Sequence, residues 1–498
     1  MDQLVSQPAA YEAADVPAAE AQQRPLRQAA LRPRLAILST TSELCGIAAY
    51  VRCLQRHIAD HFDVTVFDLD QYLLRSAHPR VRRLGDRHVR DLCRAVAGFD
   101  VVNLQLEHGI LGLRTADICR RLAWIVAAAP ALTVTFHTVF RQSRFDMLNW
   151  LKEIARFDLG AAISRCADFR RRRRLSRSVG TGLRRVQRRK PLAVIVHNRR
   201  DRREMEYVQG VARVYDHPLS FLSATEAEEI RAAAERSHFP LLAALPPQAV
   251  LVGVFGFLSP YKGFETAIRA MQHLPADYHL LLFGAVHPNS IAPHQAIDPY
   301  VATLLDEAFV DATVAERLAG AARGQAPAVT VTLDGQLKDL LLAHPKDLSA
   351  RVHFMGAMSD RDFAAGMTLC DAVVFPYREV GQSASGPISH ALELGCRIIA
   401  SRTRSFLEFA RYHPDRIEFF DIGNHLELAK RLLAPPAFDV RRYRPEYDVE
   451  SNRAVYRMAN SGLLTQGKQE PLPAVEAPPR WVSDRSRSTR TAGTGRGG

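Results

Sequence analysis

The segment Asp371–Ser401 places groups that can bind an anion directly after a buried strand. Its apolar run Ala372–Phe375 is stopped by Pro376, and the small residues Ser383–Pro387 come before a helical run, Ile388–Leu394. Serine and glycine at a helix start leave hydroxyl and backbone N–H groups open to negative charge, and proline suits the first helical turn. The pattern predicts a diphosphate site, with an ordinary serine-capped strand–helix junction as the alternative.

A lysine follows a second predicted strand in the segment Val250–Glu265, which reads VLVGVFGFLSPYKGFE. The strand ends at Gly256, and Lys262 stands just before the next helix. A lysine held at the carboxyl end of a strand can neutralise a diphosphate leaving group. The alternative is a solvated lysine in a loop, which is the commoner situation for any single lysine.

The amino-terminal part of the chain offers fewer chemical groups. Gly46 lies near the start of a helix in TTSELCGIAAY, which is not a G-x-G-x-x-G loop, so NAD binding is poorly supported. His137 ends the strand-like run LTVTFHTV, where it would point into a cleft. A further strand-to-loop edge, DVVNLQLEHGILG, offers Gln105, Glu107 and His108.

Strand-length apolar runs alternate with helical periodicity along the chain, which predicts an α/β fold with parallel sheets. The predicted strands of the first unit are Leu35–Ser39, Val64–Asp68, Val101–Leu104, Leu132–His137, Leu159–Ile163, Ala193–Val196 and Val211–Tyr215. Those of the second unit are Val250–Phe255, His279–Phe283, Val329–Leu333, Val352–Met355, Ala372–Phe375, Arg397–Ala400 and Ile417–Phe420. Ligands of open α/β sheets bind outside the carboxyl ends of strands, so we expect the site in the cleft between the two units.

The length of 498 residues favours two domains with flexible ends. We expect a disordered leader (1–33), a first Rossmann-like domain (34–217), a linker (218–248), a second Rossmann-like domain (249–449), a crossover helix (450–464) and a disordered tail (465–498). Seven cysteines without metal-binding spacing suit a reducing compartment, and no apolar run approaches the ~18–20 residues that span a bilayer. We therefore expect the protein to be cytoplasmic.

Together these segments resemble the retaining GT-B glycosyltransferases of glycosyltransferase family 4, a group with many bacterial mannosyl- and glucosyltransferases. The resemblance runs from about Arg34 to Leu464, and within the family it is greatest to members with a QSASG block. It rests on GIAAY, DVVNLQLEHGILG, FHTV, GFLSPYKGFETAIRAM, LLLFGAVHP, VHFMGAMSDRDF and the DAVVFPY…QSASG…ALELGCRIIAS block. It implies two doubly wound Rossmann-like domains that face each other across a cleft.

The resemblance also implies roles for individual residues. Gly46 would lie near the donor phosphates, His137 beside the transferred sugar and Lys262 at the diphosphate. The residues Ser383, Ser385 and Gly386 would offer hydroxyl and backbone N–H groups to that diphosphate. The family needs no metal, so the Asp-x-Asp at Asp68–Asp70 is interpreted as a chance pattern.

Three positions depart from the family pattern. Phe257 stands where an arginine is common, and Gln382 and His390 stand where the family carries two glutamates eight positions apart. Gln382 can hydrogen-bond a sugar hydroxyl but cannot offset a developing positive charge as a carboxylate does. Glu393, one turn after His390, is a candidate for the nucleotide ribose, and Glu379 is a second candidate carboxylate.

The net charge of +13 is concentrated in one segment of the sequence. Residues 161–200 hold fourteen Lys or Arg and one acidic residue, so the rest of the chain is neutral. The block contains Arg170–Arg174 and extends to Lys190. A solvated insertion over about 165–190 and a salt-sensitive contact with an anionic membrane remain as alternatives. Nucleic acid is a weaker candidate because aromatic residues are not interleaved with the basic ones.

The sequence therefore predicts transfer of a hexose, with mannose as the first guess, from a GDP- or UDP-sugar to an acceptor hydroxyl. The expected acceptor is a lipid-linked glycan or polysaccharide, and no metal or other cofactor is expected. The protein would be cytoplasmic or peripheral at the inner face of the membrane. The alternatives are a catalytically impaired nucleotide-sugar-binding scaffold, motivated by Gln382 and His390, and a sugar-nucleotide epimerase.

Overall fold

The structure is a computed structural model that describes residues 32–42, 45–140, 145–286, 297–308, 348–438 and 445–465. The described residues from Pro33 onward belong to one compact unit. Most of the expected leader and tail lies outside the described residues, as does the predicted strand Val329–Leu333.

The first half of the chain forms a six-stranded parallel sheet in the order β2-β1-β3-β4-β5-β6. Its strands are β1 (Arg34–Ser39), β2 (Asp63–Asp68), β3 (Val101–Leu106), β4 (Leu132–Phe136), β5 (Leu192–Val196) and β6 (Val214–Asp216). The central strands are buried along their whole length, because helices cover both faces of the sheet. The strand order reverses direction between β1 and β3.

The second half forms another six-stranded parallel sheet, in the order β12-β11-β10-β7-β8-β9. Its strands are β7 (Val250–Phe255), β8 (Tyr278–Phe283), β9 (Val352–Gly356), β10 (Ala372–Phe375), β11 (Ile398–Ser401) and β12 (Ile417–Phe420). This order has the doubly wound pattern 3-2-1-4-5-6, and the winding reverses between β7 and β10. The two sheets confirm the predicted fold class of two Rossmann-like doubly wound units.

Helices connect the successive strands, as a parallel sheet requires. They are α1 (Gly46–Ile58), α2 (Gln71–Leu74), α3 (Pro79–Val96), α4 (Thr115–Ala128), α5 (Met147–Ala155), α6 (Leu159–Gln187), α7 (Arg199–Arg203), α8 (Ala224–Ala233), α9 (Pro240–Ala243), α10 (Phe264–Met271), α11 (Pro299–Ala308), α12 (Asp360–Thr368), α13 (Gly386–Glu393), α14 (Arg404–Ala410), α15 (His425–Leu433) and α16 (Val449–Leu464). None of the described helices is long and apolar enough to cross a membrane.

The predicted strand Leu159–Ile163 is wrong, because these residues form the first turn and a half of helix α6. The run is short and apolar, and such a run cannot be assigned to strand or helix from periodicity alone. Asp158 provides the helix start, since its side chain accepts a hydrogen bond from the Ala161 N–H at 2.9 Å. The basic stretch after it continues the same helix to Gln187.

Two segments join the halves. The connection after β6 contains the capped helix α8, whose Ala227 lies in a core cluster of the second half. Helix α16 returns to the first sheet, where Tyr456, Ala459 and Leu463 pack against residues of β1, β3 and β5. The Tyr456 hydroxyl lies 3.1 Å from the Thr135 hydroxyl of β4. The chain therefore crosses between the halves twice.

Candidate functional site

The switch point of the second sheet brings together two predicted site segments that are far apart in sequence. Strands β7 and β10 are neighbours, with Val254 paired to Val374. A short 3-10 turn, Pro260–Lys262, follows β7, and Gly263 ends it with a φ of 67°. Tyr377 lies two residues beyond the end of β10, after Pro376. Ligands bind at such a point because helix starts and loops from both sides of the sheet converge there.

Lys262 is buried, with only 4% of its surface exposed. Its ammonium donates a hydrogen bond to the Tyr377 hydroxyl and lies 4.0 Å from the centre of that ring. No ion pair to this lysine occurs in the described part of the chain. Burial disfavours the charged ammonium and lowers the pKa of Lys262 from its ordinary 10.5 to about 7. A buried, unneutralised amine is suited to bind an anion that enters the site.

The Tyr377 hydroxyl connects the lysine to the start of helix α13. It lies 3.1 Å from the Ser385 hydroxyl, and Ser385 is the residue that precedes the helix. No side chain caps the amide groups of the first turn, which contains Gly386 and a proline. Uncapped N–H groups carry the positive end of the helix dipole. Lys262 and the predicted residues Ser385 and Gly386 thus share one small region.

Ser383 connects this region to the first half of the chain. Its hydroxyl accepts a hydrogen bond from the Val139 N–H at 3.1 Å. Its backbone carbonyl accepts one from the Asn198 side-chain amide at 3.0 Å. Both partners lie just beyond the carboxyl ends of strands of the first sheet, β4 and β5. The carboxyl edges of the two sheets therefore meet at Ser383.

Two histidines occupy that edge of the first sheet. His137 follows β4 and donates from Nε2 to the Gln105 side-chain oxygen at 2.9 Å, because Gln105 uses its own amide to donate to Asn103. His197 follows β5, and the two imidazole centres are 5.1 Å apart. Burial, and then the neighbouring His197, holds the pKa of His137 well below its ordinary value. A neutral His137 keeps Nδ1 as an acceptor for a hydroxyl group.

Gly46 is the first residue of helix α1. A side chain at this position would meet no atom within 4 Å, so the backbone borders open space. No side chain caps the first turn of α1. This helix start follows β1 at the reversal point of the first sheet, which corresponds to the position of the Pro260–Lys262 turn and helix α10 after β7 in the second sheet. Its predicted proximity to donor phosphates stays a prediction.

Gln382 lines a recess between the two halves of about 370 Å³, which includes its opening to solvent. The side-chain oxygen of Gln382 is buried and has no hydrogen-bond partner among the described residues. The same holds for Oε2 of Glu408, a residue that is 9% exposed and lines the same recess. Two buried acceptors without donors leave hydrogen bonds for a ligand to complete.

A second recess, of about 280 Å³ including its opening to solvent, shares Asn198 and Ser383 with the first. It is lined by Nε2 of His197 and the hydroxyl of Ser389, and both atoms are buried without partners among the described residues. Four unpartnered polar atoms therefore surround the junction of the two sheets. Ligands rich in hydroxyl or phosphate groups supply the donors and acceptors that such a lining lacks.

His390 and Glu393 contact the connecting segment after β6. The His390 ring stacks on Phe221 with the ring centres 4.1 Å apart, and burial lowers the pKa of His390 to about 4. Glu393 accepts hydrogen bonds from the hydroxyl of Ser220 at 2.7 Å and from the N–H groups of Phe221 and Leu222. The predicted ribose contact of Glu393 would have to compete with these three donors, and it stays a prediction.

Other residues noted in the sequence have partners within the fold. Glu379 accepts from the N–H of Gly381 and from that of Arg404. Asp70 caps α2, and Asp68 accepts from the Thr41 N–H at 2.8 Å. His108 stacks on Phe140 at 4.4 Å. Hydrogen bonds from Thr138 and from backbone N–H groups partly offset burial, which raises the pKa of Glu107.

Sequence reasoning missed Tyr377, His197, Asn198 and Phe221 as members of the site. Tyr377 stands next to the proline that stops the predicted strand Ala372–Phe375, and it joins Lys262 to Ser385. His197 and Asn198 follow the predicted strand Ala193–Val196 directly, so their position at a strand end was a usable signal. Phe221 packs between Gly386 and Tyr50, and no local pattern points to such a contact.

Comparisons with known proteins give a likeness of fold. No protein-family model matches the chain, and no curated protein matches it. The chain is similar to the crystal structure of an α,α-trehalose-phosphate synthase (UDP-forming) from Burkholderia xenovorans with glucose-6-phosphate. The two chains are 12% identical over 86% of this chain and 100% of that one, with a TM-score of 0.54. This likeness shows the two-domain GT-B fold.

Two further solved structures match less closely. The Anabaena protein HepE in complex with UDP is 14% identical over 86% of this chain and 100% of its own, with a TM-score of 0.49. Sucrose-phosphate synthase from Thermosynechococcus elongatus is 15% identical over 88% of this chain and 98% of its own, also with a TM-score of 0.49.

Proposed function

We propose that the protein is a nucleotide-sugar-dependent glycosyltransferase that moves a hexose onto an acceptor hydroxyl. The observation that carries the proposal is the buried Lys262, linked through Tyr377 to the uncapped start of helix α13. A lysine and a helix start at one switch point provide two sources of positive charge for a diphosphate. The unpartnered polar atoms at the junction of the sheets supply contacts for sugar hydroxyls.

The proposed reaction breaks the bond between the anomeric carbon and the diphosphate oxygen, and the acceptor oxygen forms the new bond to that carbon. The departing diphosphate oxygen takes the acceptor proton, so no dedicated base is required. Lys262 and the first-turn N–H groups stabilise the negative charge that develops on the diphosphate. His137 Nδ1 accepts from a sugar hydroxyl, and Gln382 does the same from the second half.

The finer parts of the proposal rest on the sequence motifs. They are membership in glycosyltransferase family 4, retention of the anomeric configuration, and mannose from GDP-mannose as the first substrate to test. UDP-sugars are equally to be tested, since the structurally similar Burkholderia protein is UDP-forming. Charge neutralisation by Lys262 and a helix start is the proposed substitute for a metal ion.

The proposed acceptor is a lipid-linked glycan or a polysaccharide made at the inner face of a membrane. The arginines of Arg170–Arg174 and the basic residues up to Lys190 support this location by their charge, because anionic lipids attract such residues at about 1 kcal/mol each. The exposed position of all five arginines on helix α6 is consistent with such a contact.

The first experiment is a thermal-shift panel with GDP, UDP and their sugars. We expect one nucleotide family to raise the melting temperature of the wild type by several degrees, and Lys262→Met to abolish that shift. The matched control is Lys430→Met, which changes an exposed lysine of helix α15. Transfer of radiolabelled hexose to membrane extracts then measures activity in the same three proteins.

Each outcome decides between the functions. Absence of any shift in the wild type, at low and moderate salt, would refute the donor site. A Lys262-dependent shift without hydrolysis or transfer would favour a nucleotide-sugar-binding scaffold. Interconversion of the free sugar nucleotide without an acceptor would favour an epimerase.

A further inference from the structure

Helices α5 and α6 form an antiparallel hairpin whose two ends differ in packing. The carboxyl-terminal half of α6 is anchored on the first sheet's helices through the buried Leu175, Val179 and Leu183. Its first sixteen residues, 159–174, contain one buried residue, Ala162, and helix α5 contains none. At 1.5 Å per residue these sixteen residues extend about 24 Å. The hairpin therefore has an anchored base and an exposed arm.

Side-chain contacts on the inner face of the arm fix the alignment of α5 against α6. Arg165 of α6 pairs with Glu153 of α5, with the guanidinium Nε 2.9 Å from both carboxylate oxygens. Phe145, just before α5, packs edge-on against Phe169 of α6 with the ring centres 5.2 Å apart. These contacts place residue 153 opposite 165 and residue 145 opposite 169. The arm is thus an ordered element with a defined outer surface.

That outer surface is apolar. Seven of the nineteen large apolar side chains exposed in the described residues lie within positions 147–163: Met147, Leu148, Leu151, Ile154, Phe157, Leu159 and Ile163. Leu148 is 75% exposed, Phe157 91% and Ile163 69%. The first four recur at three- and four-residue spacing, which makes one stripe along α5. Soluble monomers rarely expose so concentrated an apolar patch, and such patches mark interaction sites.

The turn of the hairpin presents a phenylalanine at its apex. Phe157 lies between the helices with a φ of 57°, in the left-handed region that large side chains seldom adopt. Its ring contributes little to the packing of the hairpin, because almost all of its surface is exposed. Glycine, asparagine or aspartate adopts this conformation at lower cost. An exposed phenylalanine in this conformation therefore indicates that Phe157 contacts a partner outside the fold.

The charge next to the apolar arm identifies that partner. Arg170–Arg174 and Arg177 lie on the same helix, and all six are exposed. Ile163 precedes Arg170 by seven residues, or about 10 Å along the helix. An apolar tip followed by guanidinium groups at this distance matches the change from acyl chains to phosphates in a bilayer leaflet. A symmetric dimer through the same face would instead bring two arginine runs together.

We propose that residues 147–163 insert into the interfacial region of an anionic lipid bilayer, while Arg170–Arg174 and Arg177 bind lipid phosphates. The sequence left a solvated insertion and a salt-sensitive, electrostatic membrane contact as alternatives, because few apolar residues lie among the arginines. The apolar anchors lie instead in the preceding helix and turn. Insertion adds attraction that salt does not screen. This inference concerns the membrane contact alone and stands whether or not the donor site is active.

Vesicle flotation of the full chain tests the proposal. We expect the wild type to float with phosphatidylcholine vesicles that contain phosphatidylglycerol, and to bind more weakly to phosphatidylcholine alone. Part of the binding should persist when salt is raised from about 0.1 M to about 1 M, where the Debye length falls to ~3 Å. The variant Leu151→Ser/Phe157→Ser should lower the vesicle partition coefficient by about tenfold or more at both salt concentrations.

Two control variants make the result specific. Leu426→Ser/Leu433→Ser removes two exposed leucines from helix α15 in the second half, and it should leave binding unchanged. Arg171→Gln/Arg173→Gln should weaken binding at low salt only. The Leu151→Ser/Phe157→Ser variant and both controls change exposed side chains. We therefore expect equal melting temperatures, which would show that each protein is folded.

Tryptophan fluorescence reports the depth of the hairpin. With Trp124 and Trp481 replaced by Phe, the remaining Trp150 lies on helix α5. Brominated lipids should quench its emission. Failure of the wild type to float, or equal flotation of the wild type and the Leu151→Ser/Phe157→Ser variant, would overturn the proposal. So would sedimentation showing that the apolar face holds two copies together and that the dimer does not bind vesicles.

Discussion

At the scale of residues, the charge of Lys262 should change when a diphosphate binds. Burial lowers its pKa to about 7, so at about pH 8 most of the free protein carries the neutral amine. The negative charge of a bound diphosphate favours the ammonium form and raises that pKa. We therefore expect binding of the nucleotide to take up close to one proton at about pH 8, and none at about pH 6, where the lysine is already charged.

Calorimetric titration in two buffers with different ionisation enthalpies measures this proton. Lys262→Met should abolish the uptake, and Lys430→Met should not. The folded protein also disfavours the ammonium, so the unfolding free energy of the wild type should fall as pH decreases from about 10 to about 7 and level off below. Identical proton uptake in the wild type and in Lys262→Met would contradict the assignment of the site.

The sequence predicted that Lys262, Ser385 and Gly386 lie at one edge of the sheet, and they do, while their role in binding stays a prediction. Their proximity was predictable because each lies beyond the carboxyl end of a strand, and the strand ends of one parallel sheet meet at one edge. The bond from Lys262 to Tyr377 spans 115 positions and depends on the register of β7 against β10. A single sequence does not encode that register in any local pattern. Glu393 illustrates the same limit, since its partners Ser220–Leu222 lie in a connection without periodicity.

At the scale of elements, the turn after β7 fixes where Lys262 lies. Gly263 has a φ of 67°, and a Cβ on it would lie 2.1 Å from the backbone oxygen of Pro376. We expect Gly263→Ala to lower the unfolding free energy by roughly 3 kcal/mol or more, because backbone must move on both sides. Gly381→Ala is the matched control, since Gly381 has a φ of 78° with no atom within 4 Å of the added Cβ.

Urea denaturation compares the two variants. The control should lose only the cost of the left-handed conformation, about 1 kcal/mol. Gly263→Ala should in addition weaken nucleotide binding, because displacement of the turn moves the lysine. Equal losses of stability in the two variants would show that the close approach to Pro376 does not constrain the turn.

The elements themselves were largely predictable, with one instructive exception. Strands such as Val250–Phe255 and Ala372–Phe375 are buried on both faces, so they show as continuous apolar runs between turn residues. Leu159–Ile163 is also apolar and short, but its residues are mostly exposed in a helix. The prediction failed because apolar character was taken as a sign of burial. Here it belongs to a surface that the fold leaves uncovered.

At the scale of the whole molecule, the two halves are in contact where the proposed nucleotide-sugar donor would enter. Even with their openings to solvent included, the recesses beside Ser383 measure only about 280 and 370 Å³, below or near the lower limit of the roughly 300–1,000 Å³ of ligand pockets. We therefore expect the halves to separate before a nucleotide sugar binds. The hydrogen bond from the Val139 N–H to the Ser383 hydroxyl opposes that separation.

Ser383→Ala should shift the equilibrium toward the open form by about fivefold, the effect of one hydrogen bond of about 1 kcal/mol. Small-angle scattering of the ligand-free protein measures this as a larger radius of gyration. Ser359→Ala, which removes a serine cap within the second half, serves as the control. A scattering curve of Ser383→Ala that matches the wild type would mean that this bond does not hold the halves together.

The return of helix α16 to the first sheet has a consequence for synthesis on the ribosome. Tyr456, Ala459 and Leu463 cover the apolar surface around Ile37, Tyr50 and Ile195. That surface leaves the exit tunnel about 250 residues before the helix that covers it, which at 5–20 residues per second means a delay of roughly 12–50 s. During this interval the nascent first half exposes an apolar surface, and we expect a chaperone to bind it. A stop codon before residue 449 would therefore yield an aggregation-prone polypeptide, even though every strand of both sheets had been translated.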